Sequence, residues 1–255
     1  MFEAIILGIV QGLTEFFPVS STAHLILFPW FFNWKGAVDT LTFDIALHAG
    51  TLFALITCFW KDWLTMVSKN TKLLWLILIA TVPAGAAGYL FNDLVEYALR
   101  SPLIIVIALV VIGMVMLISE KTFRHKKLDD LSVTDVLLIG CMQAVALIPG
   151  VSRSGITISA GLFRGLERDE SARFSFLLAT PVIAGALILH AGDILSDAAD
   201  QNISIFIAGF LVSGITGFAA IKFLLSFFKK YPLNLFVYYR FILAVVIMLG
   251  IWLKR

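Results

Sequence analysis

The sequence predicts an all-α polytopic membrane protein made of two inverted-topology repeats, each a re-entrant helix hairpin followed by three transmembrane helices. Three observations predict this fold: an apolar composition, short apolar segments broken at proline, and basic loops that alternate along the chain. Of the 255 residues, 60% are hydrophobic and 14% are charged, whereas soluble domains carry about 25% charged residues. Apolar runs recur from end to end, which indicates a single membrane domain over residues 1–255.

Six segments are predicted to span the membrane. A helix needs roughly 17–25 mostly apolar residues to cross a bilayer. The segments that meet or approach this length are residues 43–60, 73–91, 103–119, 174–190, 203–228 and 236–253. The first three complete a predicted first repeat over residues 1–119, and the last three a second repeat over residues 133–253.

Two further apolar stretches, residues 1–32 and 133–163, are interrupted near their middle. The interruptions are residues 18–22 (PVSST) and residues 149–154 (PGVSRS). Proline removes a backbone donor and disfavours helix at the residue before it. Each stretch should therefore form two half-helices that enter the membrane and return to the same side.

The loop charges support the two hairpins independently. Segments 61–72, 120–132 and 164–173 and the turn near residue 230 carry twelve Lys and Arg residues, which is typical of cytoplasmic loops. The loops between them carry only Lys35 and Arg100. This alternation requires both hairpins to be re-entrant, and it places the two halves in opposite orientations. A weak internal repeat agrees, since GxxQG at residues 8–12 is followed by GxxQA at residues 140–144.

The first break gathers reactive side chains. Irregular backbone and ionisable groups at membrane depth persist only in polar surroundings inside the protein, and they are candidates for function. Ser20 and Ser21 suit N-caps of the half-helix that follows, and His24 lies three residues beyond Ser21 on the same helical face. Glu15 precedes the proline turn and can face them.

The second break supplies a permanent cation, Arg153, with the hydroxyls of Ser152, Ser154 and Thr157 at another half-helix start. Free amides and the helix dipole make such a start an anion site, and the arginine fork matches phosphate oxygens. The two breaks together predict one shared pocket for a strongly anionic group, with Glu15 facing Arg153.

Several other polar residues have two interpretations. A serine at either break, taken alone, is explained by capping. His48 and His190 are interpreted as interfacial or core histidines near span ends. Asp44 either anchors a span end or assists the first break, and Arg240 either lies near the interface or braces the site.

With these motifs the sequence resembles the undecaprenyl-diphosphate phosphatase family, known also as bacitracin-resistance proteins. Residues 11–24 (QGLTEFFPVSSTAH) and 149–157 (PGVSRSGIT) are similar to the two family signatures, and the resemblance covers nearly the whole chain. Family members carry Glu or Gln at the position of Gln11, and this chain carries Gln.

The resemblance implies an enzyme of the bacterial inner membrane with a site open to the periplasmic side. It would hydrolyse undecaprenyl diphosphate to undecaprenyl phosphate and inorganic phosphate, which recycles the lipid carrier for peptidoglycan and other envelope polymers. A divalent cation, Mg²⁺ or Ca²⁺, would assist. The expected partners are the polyprenyl diphosphate and the lipid bilayer, with no nucleic acid; the oligomeric state stays open, a homodimer included.

The residues at the two breaks also suggest roles in such an enzyme. The expected catalytic residues are Glu15, Ser21, His24 and Arg153. Ser21 is the preferred nucleophile, activated by Glu15 or His24; direct attack by His24 and attack by water are alternatives. Glu15, with Gln11, is the candidate metal ligand. The expected substrate-binding residues carry a hydroxyl or an amide: Gln11, Ser20, Thr22, Ser152, Ser154 and Thr157.

A transporter is the alternative from another class. Inverted repeats with half-helix ends near the midplane are typical of secondary carriers, and a flippase for an anionic lipid is the most specific version. A carrier does not need the nucleophilic side chains of the first break, so the sequence favours catalysis.

Overall fold

The computed structural model describes residues 1–93, 99, 101–190, 192 and 203–254. Within these residues the chain forms ten α-helices and no β-strand, which confirms the predicted all-α fold. The helices are α1 Phe2–Thr14, α2 Ser21–Phe32, α3 Leu41–Ser68, α4 Thr71–Asp93, α5 Pro102–Ser119, α6 Val133–Val145, α7 Arg153–Phe163, α8 Arg168–Leu189, α9 Ile203–Phe227 and α10 Asn234–Leu253.

Six of the described helices, α3, α4, α5, α8, α9 and α10, are long and apolar enough to cross a membrane. The chain is therefore a multi-pass membrane protein. The structure differs from the sequence prediction mainly in length, because α3 continues past residue 60 and α8 begins before residue 174. Charged residues occupy these extensions, and Arg173 of α8 forms an ion pair with Asp62 of α3. Helix α3 is kinked at Phe59, close to the predicted end of the span, and its charged continuation is paired with α8.

The two broken stretches form pairs of short helices, α1 with α2 and α6 with α7. The second helix of each pair begins at a serine cap with positive φ, 76° at Ser20 and 72° at Ser152. Each cap hydroxyl accepts a hydrogen bond three residues on, from the N–H of Ala23 at 3.4 Å and of Gly155 at 3.1 Å. Left-handed backbone is costly for a non-glycine residue, so the surrounding contacts must hold these turns. Ser21, expected as a second cap, is instead the first residue of α2.

The first helix of each half packs against a helix of the other half. Helix α1 packs against α9, and α6 packs against α4, while α5 packs against α10. Small residues permit the close approach: a Cβ on Gly12 would lie 2.2 Å from Thr216 Oγ1, and one on Gly140 2.3 Å from the Ala80 carbonyl oxygen. This reciprocal packing is compatible with a two-fold relation between the halves. The opposite orientation of the repeats and their boundaries stay predictions.

Cysteine labelling tests the inverted orientation. Lys35 and Glu167 are exposed and follow the two helix pairs at matching positions. In a protein with Cys58 and Cys141 replaced by serine, we expect a membrane-impermeant maleimide to label Lys35→Cys in intact cells. Glu167→Cys should be labelled only after the membrane is permeabilised. Labelling of both from the same side would contradict the inverted topology.

Candidate active site

The carboxylate of Glu15 is the centre of the site. It is 7% exposed and lies just after α1. Its Oε1 accepts a hydrogen bond from Arg153 Nη2 at 2.7 Å, and its Oε2 accepts from Ser21 Oγ at 2.6 Å and from Gln11 Nε2 at 3.1 Å. His48 Nε2 lies 3.4 Å from the same Oε2. The structure therefore brings the carboxylate of the first break and the guanidinium of the second into direct contact.

Direct hydrogen bonds join the two breaks. The Gly150 N–H donates to Ser20 Oγ at 3.1 Å, and the Ser154 hydroxyl donates to the Phe17 carbonyl oxygen at 3.1 Å. Ser154 also lies 3.2 Å from Ser152, oxygen to oxygen. Each irregular segment thus supplies hydrogen-bond partners to the other, and lipid could not supply them.

Arg240 of α10 ties both breaks to the protein interior. Its side chain is fully buried. The guanidinium donates to four carbonyl oxygens: Pro18 at 3.2 Å, Gly150 at 2.7 Å, Ala108 at 3.2 Å and Leu109 at 3.1 Å. The sequence left two interpretations for Arg240, and the structure shows that it braces the site.

A cavity of about 320 Å³ opens at this point. Polar side chains from both breaks lie on its wall: Glu15, Ser20, Ser21, Thr22, Ser152 and Arg153. Apolar side chains of α3, α4 and α8 also line it: Leu41, Ile45, Ala84, Val182, Ile183 and Leu187. Such a cavity suits an amphiphile that has an anionic head and an apolar chain.

His24 lies apart from the other predicted catalytic residues. Its Nδ1 is 2.7 Å from the Ser20 carbonyl oxygen, its Nε2 is 2.7 Å from the Tyr239 hydroxyl, and its ring stacks on that of Tyr239. Both nitrogens are therefore engaged away from Ser21. Residues three apart share a helical face only approximately, and here the difference turns His24 towards α10.

The predicted substrate-binding residues divide into two groups. Ser20, Thr22 and Ser152 lie on the cavity wall. The other three do not line the cavity, but each contacts a residue that does: Gln11, Ser154 and Thr157. Gln11 is fully buried against Glu15. Thr157 donates to the Arg153 carbonyl oxygen at 2.7 Å and lies 2.6 Å from Ser175 Oγ, which fixes α7 against α8.

Sequence reasoning missed His48 as a site residue. His48 lies on the cavity wall beside Glu15, and its Nδ1 is 2.7 Å from the carbonyl oxygen of Asp44, another cavity residue. The available signal was the spacing of Asp44 and His48, which places two polar groups on one face of an otherwise apolar helix.

Two carboxylates, those of Glu15 and Asp44, line the cavity in which the divalent cation is predicted to act. Among the described residues, no group of three His, Cys, Asp or Glu side chains is arranged to hold a metal ion. The Glu15 oxygens already accept hydrogen bonds from Ser21, Gln11 and Arg153. The described residues therefore do not fit a metal held by protein side chains alone. Mg²⁺ in phosphoryl-transfer sites is commonly bound by one or two carboxylates together with substrate phosphates.

The fold and the site define a multi-pass membrane protein with a pocket between two helix breaks, lined by polar groups of both breaks and by apolar side chains. In this pocket a carboxylate accepts hydrogen bonds from a hydroxyl and from a guanidinium. The chain belongs to the bacitracin resistance protein BacA family, whose family model matches residues 4–246.

Relatives named undecaprenyl-diphosphatase match along almost their full length. The relative from Thermodesulfovibrio yellowstonii is 56% identical over 249 residues, which cover 98% of this chain and 96% of the relative. That from Elusimicrobium minutum is 45% identical and covers 99% and 98%. That from Moorella thermoacetica is 43% identical and covers 100% and 99%.

Removing the Arg240 guanidinium should destabilise the protein. Arg240→Met leaves the carbonyl oxygens of Pro18 and Gly150 without this donor, and each unpaired buried acceptor costs about 1–3 kcal/mol. We expect a lower Tm in detergent and reduced activity. Lys222→Met is the control, because Lys222 is an exposed cation on α9. An Arg240→Met protein as stable as the Lys222→Met protein would contradict the bracing role.

Proposed function

We propose that this chain is an undecaprenyl-diphosphatase of the bacterial inner membrane. It hydrolyses undecaprenyl diphosphate to undecaprenyl phosphate and inorganic phosphate, which recycles the lipid carrier for peptidoglycan and envelope polymers. The observation that carries the proposal is the Glu15 carboxylate, which bonds both the Ser21 hydroxyl and the Arg153 guanidinium on the wall of one cavity. The names and full-length similarity of the relatives support it.

The second break binds the diphosphate in this proposal. Arg153 Nη1 donates to the Ser175 carbonyl oxygen at 3.2 Å, which orients the guanidinium. The substrate phosphates take the place of Glu15 at Nη2, and the free amides at the starts of α2 and α7 bind further phosphate oxygens. The prenyl chain lies along the apolar residues of α3, α4 and α8 and continues into lipid.

Ser21 is the proposed nucleophile and Glu15 its general base, a pairing supported by their 2.6 Å hydrogen bond. Glu15 takes the hydroxyl proton as Ser21 Oγ bonds the terminal phosphorus. The anhydride bond breaks, and Glu15 passes this proton to the departing undecaprenyl phosphate. Water then attacks the phosphoserine, Glu15 takes a proton from the water, and it returns that proton to Ser21 Oγ as phosphate leaves. Arg153 stabilises the negative charge of the transferring group.

His24 has a positioning role in this scheme, because its nitrogens are engaged by Ser20 and Tyr239. Attack by a water molecule that Glu15 activates is the alternative to attack by Ser21. Mg²⁺ or Ca²⁺ is proposed to arrive bound to the substrate phosphates, where it would neutralise part of their charge.

The cavity is proposed to open towards the periplasm. Its wall includes Leu41 and His190, at the N-terminal end of α3 and just beyond the C-terminal end of α8. The adjoining loops 33–42 and 191–202 carry a single basic residue, Lys35, as expected outside the cytoplasm. A homodimer stays a prediction, which cross-linking in native membranes tests.

Phosphate release in detergent micelles tests the proposed function, because a micelle offers no second compartment for transport. We expect the purified protein to release phosphate from a C55 prenyl diphosphate and a chelator to reduce the rate. Glu15→Gln, Ser21→Ala and Arg153→Ala should each lower kcat/KM by at least about 10²–10⁴-fold. Thr57→Val, on a face of α3 away from the cavity, is the control. Near-normal turnover in any of the three folded site variants would refute that residue's role.

Trapping the phosphoenzyme identifies the nucleophile. Rapid acid quenching with substrate labelled at the terminal phosphate should give label on Ser21, because a phosphoserine survives acid. His24→Gln and Tyr239→Phe should lower activity only about tenfold and leave this label in place. A phosphohistidine survives alkaline quenching, so label found on His24 under that condition would make His24 the nucleophile in place of Ser21. Water attack would leave no label under either condition.

A further inference from the structure

Each half of the chain places a glutamine at the same point before its break. Gln11 lies nine residues before the cap serine Ser20, and Gln143 lies nine residues before the cap serine Ser152. Both glutamines are on the first short helix of their pair, α1 and α6, and both are buried. The two amides therefore have equivalent backbone settings.

The partners of the two amides differ. Gln11 donates to Glu15, four residues later on the same side of the helix. The residue four positions after Gln143 is Leu147, whose side chain cannot accept a hydrogen bond. Gln143 is 2% exposed, and neither Nε2 nor Oε1 has a hydrogen-bond partner among the residues that the structure describes.

Gln143 and Leu147 both lie on the wall of the active-site cavity, with Arg153. An unpaired amide in such a place costs free energy unless a ligand or a water molecule satisfies it. A carboxylate at position 147 would pair with the amide, as Glu15 pairs with Gln11, but it would also repel an anionic ligand beside Arg153. The second half thus keeps an amide donor on the cavity wall without adding negative charge.

We infer that Gln143 is a substrate-binding residue whose side-chain amide donates a hydrogen bond to the diphosphate group beside Arg153. The inference deepens the proposed function and rests on it. A neutral amide orients phosphate oxygens through its two N–H donors, while Arg153 supplies the charge. Gln143 is assigned to binding and takes no part in proton transfer.

Two substitutions test the inference. Gln143→Met removes the amide with little change in volume, and Gln143→Glu replaces it by a group that repels phosphate. For Gln143→Met we expect KM for a C55 prenyl diphosphate and the inhibition constant of inorganic pyrophosphate to rise about tenfold, the effect of one hydrogen bond to a charged group, with little change in kcat. Gln143→Glu should raise both constants further. Because the amide has no hydrogen-bond partner among the described residues, Gln143→Met should keep or raise the Tm.

Ser159→Ala is the matched control. The Ser159 hydroxyl is also buried and without a partner among the described residues, but it does not line the cavity. This variant should leave both KM and the pyrophosphate inhibition constant unchanged. An unchanged KM and an unchanged pyrophosphate inhibition constant in Gln143→Met, or a loss confined to kcat and Tm, would overturn the inference. If Gln143→Met does not fold, the same two constants measured in Gln143→Glu decide.

Pyrophosphate binding separates this inference from the proposed function. If the wild-type protein releases no phosphate, the proposed hydrolysis fails, and the rise in Tm on adding inorganic pyrophosphate still measures anion binding. That rise should be smaller in Gln143→Met than in Ser159→Ala. Equal rises in the two variants would overturn the role of Gln143 whatever the outcome for hydrolysis.

Discussion

A bilayer offers no hydrogen bonds to exposed backbone, and the two broken segments can exist inside it only because protein groups supply those bonds. Arg240 donates to Pro18 in one segment and to Gly150 in the other, and Gly150 in turn donates to the Ser20 hydroxyl. Once the segments are joined in this way, Glu15 and Arg153 are adjacent. The chemistry of the pocket therefore depends on how the backbone of the two breaks is satisfied.

Both halves bring a helix start with the same cap geometry to the site, but the side chains at the two helix starts differ. Ser21 and Arg153 are each the first helical residue after a cap serine with positive φ. The carboxylate of Glu15 lies between them and bonds both. One half thus contributes the nucleophile and base of the proposed reaction, and the other contributes the groups that bind negative charge.

The fold and the shared pocket could be predicted because their signals are local. Apolar length marks the spans, and proline with hydroxyls marks the breaks, so Glu15 and Arg153 could be assigned to one site before their contact was known. The orientation of His24 could not, because it depends on Tyr239, which is 215 residues away. His48 was missed for the same reason: its role comes from the packing of α3 beside the end of α1. Arg240 was left with two interpretations, since a single arginine in a span does not reveal which carbonyl groups it meets.

The hydrogen bonds between the two breaks also bear on how molecules pass through the site. A rocking carrier separates its halves in each cycle, and here that movement would strip partners from Pro18, Gly150 and Ser20 inside hydrocarbon. The hydrogen bonds at the base of the pocket therefore favour a site whose two halves stay together while a ligand enters and leaves.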